Sequence, residues 1–168
     1  MASFASRGSG SDDPHDRPRS EGLAACVDVE RVAFLAGIPT QRDVLLQLAE
    51  LTGSDWLPSQ RAQFLKALFD REEVTTTAIG GGIAVPHARL THLDHCRITL
   101  GLAPAGIAWR ARDQQPVRLI VLIAAREQER TEHLRLLAEV ASRLADLERR
   151  ERVITAGSAE EALRELTG

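Results

Sequence analysis

Residues 117–144 read VRLIVLIAAREQERTEHLRLLAEVASRL. The first nine are apolar at every position but Arg118. A run of that length and uniformity predicts a central strand covered on both faces. From about Thr131 the period changes. Leu134, Leu137, Ala138, Ala141 and Leu144 recur at helical spacing, which predicts a long helix to about Leu147 with that stripe buried. A covered strand that feeds an amphipathic helix is an α/β unit.

The flanks extend the pattern. RITLGLA at 97–103 alternates Ile98, Leu100 and Leu102, as a half-buried strand does. A short GIAW piece and a turn-rich RARDQQP loop join it to residue 117. Ser158 and Glu161 have capping-box spacing ahead of a last helix carrying Leu163 and Leu166. Upstream, Thr40 and Asp43 mark a helix start, Val44, Leu45, Leu48 and Leu51 keep helical spacing, and Gly53 is a stop. A second helix begins near Pro58 or Ser59 and carries Phe64, Leu65, Leu68 and Phe69. CVDVERVAFLA at 26–36 alternates Val27, Val29, Val32 and Phe34 and predicts a strand, and a short strand is expected at 83–85. The fold class is therefore α/β, one domain with a central mixed sheet flanked by helices on both faces.

The 168 residues are 43% hydrophobic and 27% charged, enough for a core and a solvated surface. Aromatics are few, so the core must be aliphatic. The net charge of −3 supplies no basic field for nucleic acid. Lys66 is the single lysine, and we read the arginine excess as composition bias. Two cysteines, Cys26 and Cys96, make no disulfide framework at this length, which fits a reduced, cytoplasmic setting. No apolar run approaches the ~20 residues of a membrane span. Residues 1–22 lack a signal-peptide core and are rich in Ser, Gly, Pro, Asp and Arg. They are expected to be a disordered tail ahead of a domain at 23–168.

One stretch stands apart. Residues 80–87 read GGGIAVPH. Gly80, Gly81 and Gly82 permit positive φ and close approach, whereas Pro86 stiffens the chain just before His87. That layout presents an imidazole at a rigid strand end beside a loop with room for a polyatomic group. The residues alone also allow a plain turn whose histidine bonds a carbonyl. His133, in the first turn of the long helix, and Arg71, at the end of the second, are candidate partners. Each is equally readable alone as a surface residue.

REEVTTTAIGGGIAVPHARL at 71–90 resembles the active-site segment of the enzyme IIA domains of the fructose–mannitol class of the phosphoenolpyruvate-dependent sugar phosphotransferase system, a class that includes the nitrogen-regulatory enzyme IIA proteins. IAWRARDQQPVRLIVLIAAR, EHLRLLAEVASRL and SAEEALRELTG extend the resemblance, in collinear order, over roughly 27–167. The resemblance implies a phosphocarrier. His87 would accept a phosphoryl group from phospho-HPr or its nitrogen-branch counterpart through Nε2 and pass it to a IIB partner, or use it as a regulatory switch. His133 would contact the phosphoryl oxygens, and Arg71 would sit at the same site. The physics agrees with these roles. A neutral imidazole is nucleophilic, and phosphoryl transfer asks mainly for positioning and charge. The glycine loop is expected to donate to the phosphoryl oxygens. No metal, nucleotide or other cofactor is implied. Ala78 stands where many members carry glycine, and that position is expected to need positive φ.

Three alternatives accompany this reading. One is a dedicated fructose- or mannitol-type transport component. A second is a regulatory module that binds target proteins without transferring the group; a free-standing chain tilts the expectation toward the nitrogen-regulatory branch. The remote third is a zinc site from His87, His92, His95 and Cys96, whose spacing matches no standard zinc pattern.

Overall fold

The computed structural model describes residues 22–37 and 39–168, so the tail read at 1–22 lies, but for Gly22, outside the described residues. The apolar run forms strand β6 (Val117–Arg126). It is buried at every position from Leu119 to Ala125, and it lies at the centre of the sheet as its sequence predicts. β5 (Arg97–Ile107) pairs with it antiparallel, and β1 (Val32–Phe34) pairs parallel with β5. On the other side β3 (Ile83–Ala84) and then β4 (His87–Leu90) run parallel along β6, with β2 (Ala78–Gly80) antiparallel outside β3. The sheet is mixed and six-stranded.

Alternate side chains of β5 and β6 feed two cores. Ile98, Leu100, Val121 and Ile123 pack with Leu136, Val140 and Leu144 of α4 (Arg130–Ala145), with α5 (Leu147–Ile154) and with α6 (Ala159–Thr167). Ile120, Leu122 and Ala124 pack with Leu45 and Leu48 of α2 (Gln41–Thr52) and with Phe64 and Leu68 of α3 (Pro58–Val74). The helices cover both faces, as expected. α2 begins in a complete Thr40–Asp43 capping box and ends at Gly53, α3 has Pro58 at its first turn, and Ser158 caps α6.

Three expectations are corrected. α4 buries Glu132, His133, Leu136, Val140 and Leu144, not the stripe through Leu134, Leu137, Ala138 and Ala141; Leu134 is 65% exposed. The helix carries two apolar stripes, and the sheet selects the one through Leu136. The helix, expected from about Thr131, begins at Arg130 with Glu129 at the N-cap position. Residues 26–36 are not one strand: α1 (Leu23–Cys26) and a 3₁₀ turn (Val29–Arg31) precede the three residues of β1, where Ala33 is buried and Phe34 exposed. Lastly, the two cysteines are not free thiols. α1 packs near the start of β5 and brings Cys26 and Cys96 into a buried disulfide with Cα atoms 5.4 Å apart.

Candidate active site

β4 presents the site. Pro86 has no N–H to give the ladder, but its carbonyl accepts from Ile123 N at 2.9 Å, and Val85 N donates to Thr77 O at 2.9 Å. The chain is thus anchored on both sides of the proline. Along β4, Ala88 and Leu90 point into the core, while His87 and Arg89 share the opposite face.

The bonds of the His87 ring define its tautomer. Nδ1 lies 2.8 Å from the Val85 carbonyl, which can only accept, so Nδ1 carries the hydrogen. Arg71 Nε, which can only donate, lies 3.4 Å from Nε2. Nε2 therefore holds the lone pair. Partial burial pushes the His87 pKa below its ordinary value, and the Arg71 and Arg89 charges add to this against the Val85 bond and Glu72. The ring is neutral at pH 7, with its free nitrogen turned toward a guanidinium.

His133, the fourth residue of α4, faces it. The ring centroids are 5.0 Å apart and the planes tilted by 51°. His133 is only 8% exposed, and burial, followed by the charges of His87, Arg89 and Arg71, lowers its pKa to about 4. Its Nδ1 is buried with no hydrogen-bond partner. An orphaned buried N–H costs more than an orphaned lone pair, which favours a hydrogen on Nε2, where it can donate. His133 is therefore a neutral donor at pH 7.

Arg71 lies in the last turn of α3, and its other arm donates to Thr75 O at 3.0 Å. The next residue, Glu72, is buried and holds this corner. Its carboxylate accepts from Thr77 Oγ1 at 2.6 Å, Thr77 N at 3.2 Å and Trp109 Nε1 at 3.0 Å. The network joins the end of α3 to the segment entering β2 and to the chain beyond β5. Sequence reasoning gave Glu72 no role. Its one signal was a carboxylate followed by paired threonines in REEVTTT.

The structure brings His87, His133 and Arg71 together around a cavity of about 400 Å³, which Arg89 and Arg130 also line. Neither of these two arginines stood out in the sequence. On its other side, His87 borders a hollow of about 340 Å³ floored by Leu137, Ala138 and Ala141, which is where the unburied stripe of α4 lies.

The glycines are elsewhere. Ile83 pairs with Leu119 and His87 with Ile123, so Ile83, where the turn at 80–82 ends, already sits four residues, or about 13 Å, down the sheet. Gly80, Gly81 and Gly82 have φ of 96°, 63° and 76°, and they line neither cavity beside His87. Gly81 N donates to Asp113 Oδ2 at 2.8 Å. The expected phosphate loop is a tight turn clamped to the DQQP loop. Ala78 does not take positive φ; Gln114, at 57°, is the only non-glycine described residue that does.

The zinc alternative fails on placement. Cys96 is bonded to Cys26, His92 stands edge-on to Trp56 with centroids 4.9 Å apart, and His95 is exposed. No group of three or more His, Cys, Asp or Glu among the described residues is arranged to hold a metal ion.

A mixed α/β domain that presents an imidazole at a strand end, facing a second imidazole beside a cavity lined by three arginines, defines the class. Residues 26–168 match the family model described as phosphoenolpyruvate-dependent sugar phosphotransferase system, EIIA 2, and the chain belongs to that family. It is 36% identical over 101 residues to a mannitol-specific phosphotransferase enzyme IIA component of Staphylococcus aureus; the match covers 58% of this chain and 66% of that protein. It is 35% identical over 105 residues to a nitrogen regulatory protein of Bradyrhizobium diazoefficiens, covering 62% and 65%. The match thus spans just under two thirds of each relative. The fold is shared with the nitrogen regulatory protein IIA-Ntr of Neisseria meningitidis, at a TM-score of 0.79 and 24% identity over 86% of this chain and 99% of that one. No helix among the described residues is long and apolar enough to cross a membrane.

Proposed function

We propose that the protein is a phosphocarrier that accepts a phosphoryl group on His87 Nε2 from a phosphorylated HPr-type protein and hands it on. The observation that carries this is the fixed tautomer: the Val85 carbonyl holds the hydrogen on Nδ1, leaving the Nε2 lone pair toward Arg71. In the step, that lone pair bonds phosphorus while the P–N bond of the donor's phosphohistidine breaks, its electron pair returning to the donor ring. With both nitrogens substituted, the His87 ring is cationic, and the Val85 carbonyl steadies it. Arg71 and the Nε2–H of His133 bind the oxygens, so stabilisation comes from prearranged donors. Transfer onward to a IIB cysteine reverses the geometry, with sulfur as nucleophile and His87 as leaving group.

The reading concerns the shared carrier chemistry. The mannitol-specific and nitrogen-regulatory relatives resemble this chain equally, at 36% and 35% identity. The test is incubation with phosphorylated HPr and location of the acid-labile label by mass spectrometry. Label on His87 that is lost in His87→Ala is expected. No label, or label that persists in His87→Ala, overturns the reading. A subsequent chase with a IIB domain separates a transport carrier, which loses label to cysteine, from a regulatory one, which retains it.

A further inference from the structure

A phosphoryl group on nitrogen brings about −1.5 to −2 of charge into the cavity. The cationic His87 ring and Arg71 offset that charge, but of the two only Arg71 can bind the oxygens. Arg71 supplies one positive charge. His133 supplies a hydrogen but no charge at pH 7, since burial keeps its ring neutral down to about pH 4. One guanidinium and one N–H leave part of three oxygens unbound, which gives a place to a second fork of donors close enough to reach them and free enough to turn to them.

Most of the arginines near the sheet are already engaged. Arg97, Arg118, Arg126, Arg143 and Arg152 each face a carboxylate. Arg89 does not. It is exposed, makes no ion pair or hydrogen bond among the described residues, and lines the same cavity as both histidines. The two-residue period of β4 puts it on the His87 face, one strand position beyond the ring. Its charge is felt at both rings, lowering the pKa of each. Arg130 lines the cavity too, but from the first residue of α4 and not from the strand face that carries His87.

We infer that Arg89 is the second guanidinium on the phosphoryl group, closing on its oxygens opposite Arg71 once His87 is loaded. The inference rests on the carrier reading and adds a catalytic residue to it. Before loading, Arg89 has no anion to hold and stays extended in solvent. After loading, two guanidinium forks and the His133 N–H meet three oxygens.

The experiment separates binding of the phosphoryl group from docking of a partner. The full chain is mixed with phosphorylated HPr and allowed to reach equilibrium, and the phosphorylated fraction is read by mass spectrometry. A residue that only helps docking changes the rate of approach and leaves the equilibrium constant alone. Arg89→Gln is expected to lower that constant about tenfold, and Arg89→Lys, which keeps charge but not the fork, about threefold. A ³¹P titration of the phosphohistidine is expected to show its second ionisation displaced upward in Arg89→Gln, since a cation that favours the dianion is gone. Because Arg89 is exposed, both variants should fold; an unchanged melting curve checks this. A wild-type equilibrium constant and an unmoved ³¹P titration in Arg89→Gln overturn the inference. Failure of the wild-type chain to take label at all would instead condemn the carrier reading beneath it.

Discussion

Replacing Glu72 by glutamine changes one oxygen to an amide nitrogen and almost nothing in volume. The site leaves that amide no orientation that keeps every bond. Both carboxylate oxygens accept: Oε1 from Trp109 Nε1 at 3.0 Å and Thr77 N at 3.3 Å, Oε2 from Thr77 N at 3.2 Å and Thr77 Oγ1 at 2.6 Å. The threonine hydroxyl can rotate to accept, but the two N–H groups cannot. With nitrogen at the Oε1 position the Trp109 N–H faces another donor; with nitrogen at Oε2 the Thr77 N–H loses its shorter bond and keeps only the 3.3 Å one, at 8% exposure of the residue. An unsatisfied buried donor costs about 1–3 kcal/mol. The cheaper orientation lies at the low end of that range, so we expect Glu72→Gln to lose about 1 kcal/mol, which at ~2–4 °C per kcal/mol for a chain of this size lowers Tm by about 2–4 °C. Urea unfolding followed by far-UV circular dichroism measures the loss. A cycle with Trp109→Phe localises it, because removing the indole N–H gives the amide an orientation with one conflict fewer and makes the double variant less costly than the sum. Since Glu72 adjoins Arg71, the single variant should also slow phosphoryl uptake. A Glu72→Gln protein within about 0.5 kcal/mol of wild type would refute the reasoning.

Further outcomes follow from other features. The His133 pKa of about 4 lies below the ordinary 6.5, so between those values the unfolded chain binds a proton that the fold does not. Stability should be flat above about pH 6.5 and fall as pH drops toward 4, with His87 adding in the same direction; urea midpoints that rise on acidification would contradict this. His133→Gln should flatten part of that fall. Removing the Cys26–Cys96 bond, which spans a sequence separation of 70, should cost about 4 kcal/mol by loop entropy, read as the urea shift on adding reductant; identical curves with and without reductant would count against it. Gly82→Ala, at φ 76° and with a backbone oxygen 3.3 Å from the new Cβ, should cost about 1–2 kcal/mol yet leave the phosphorylation equilibrium unchanged. A loss of phosphorylation there would restore the glycine turn to the site.

The strongest sequence signals were those in which local chemistry and tertiary packing agree. The run at 117–125 is apolar enough to be buried on both faces, and it is the central strand. Thr40 with Asp43, Gly53, Pro58 and Ser158 carry their own boundary chemistry, and each stands at a helix end. The phase of α4 was not legible, because Leu134–Ala141 and Leu136–Leu144 are both helical stripes and only the sheet chooses between them. α5 was missed because LERRERVI buries only Val153 and Ile154, too little for a periodic signal. At the site, Pro86–His87 was visible as a stiffened presentation of a ring. Arg89 was not, since an exposed arginine next to a small residue looks like solvent-facing charge until the strand register shows what shares its face. The glycine triplet misled for the opposite reason. Proximity along the chain suggested proximity to the ring, but an extended segment carries it about 13 Å away.

The central claim is that His87 is neutral, with hydrogen on Nδ1 and the lone pair on Nε2, and that phosphorus bonds to that nitrogen. Long-range ¹H–¹⁵N NMR of the histidine rings at pH 7, repeated after loading from phospho-HPr, tests it directly. The account predicts an Nδ1–H tautomer for residue 87 before loading and ³¹P coupling to its Nε2 afterward. An Nε2–H tautomer, or phosphorus on Nδ1 or on another residue, would contradict it.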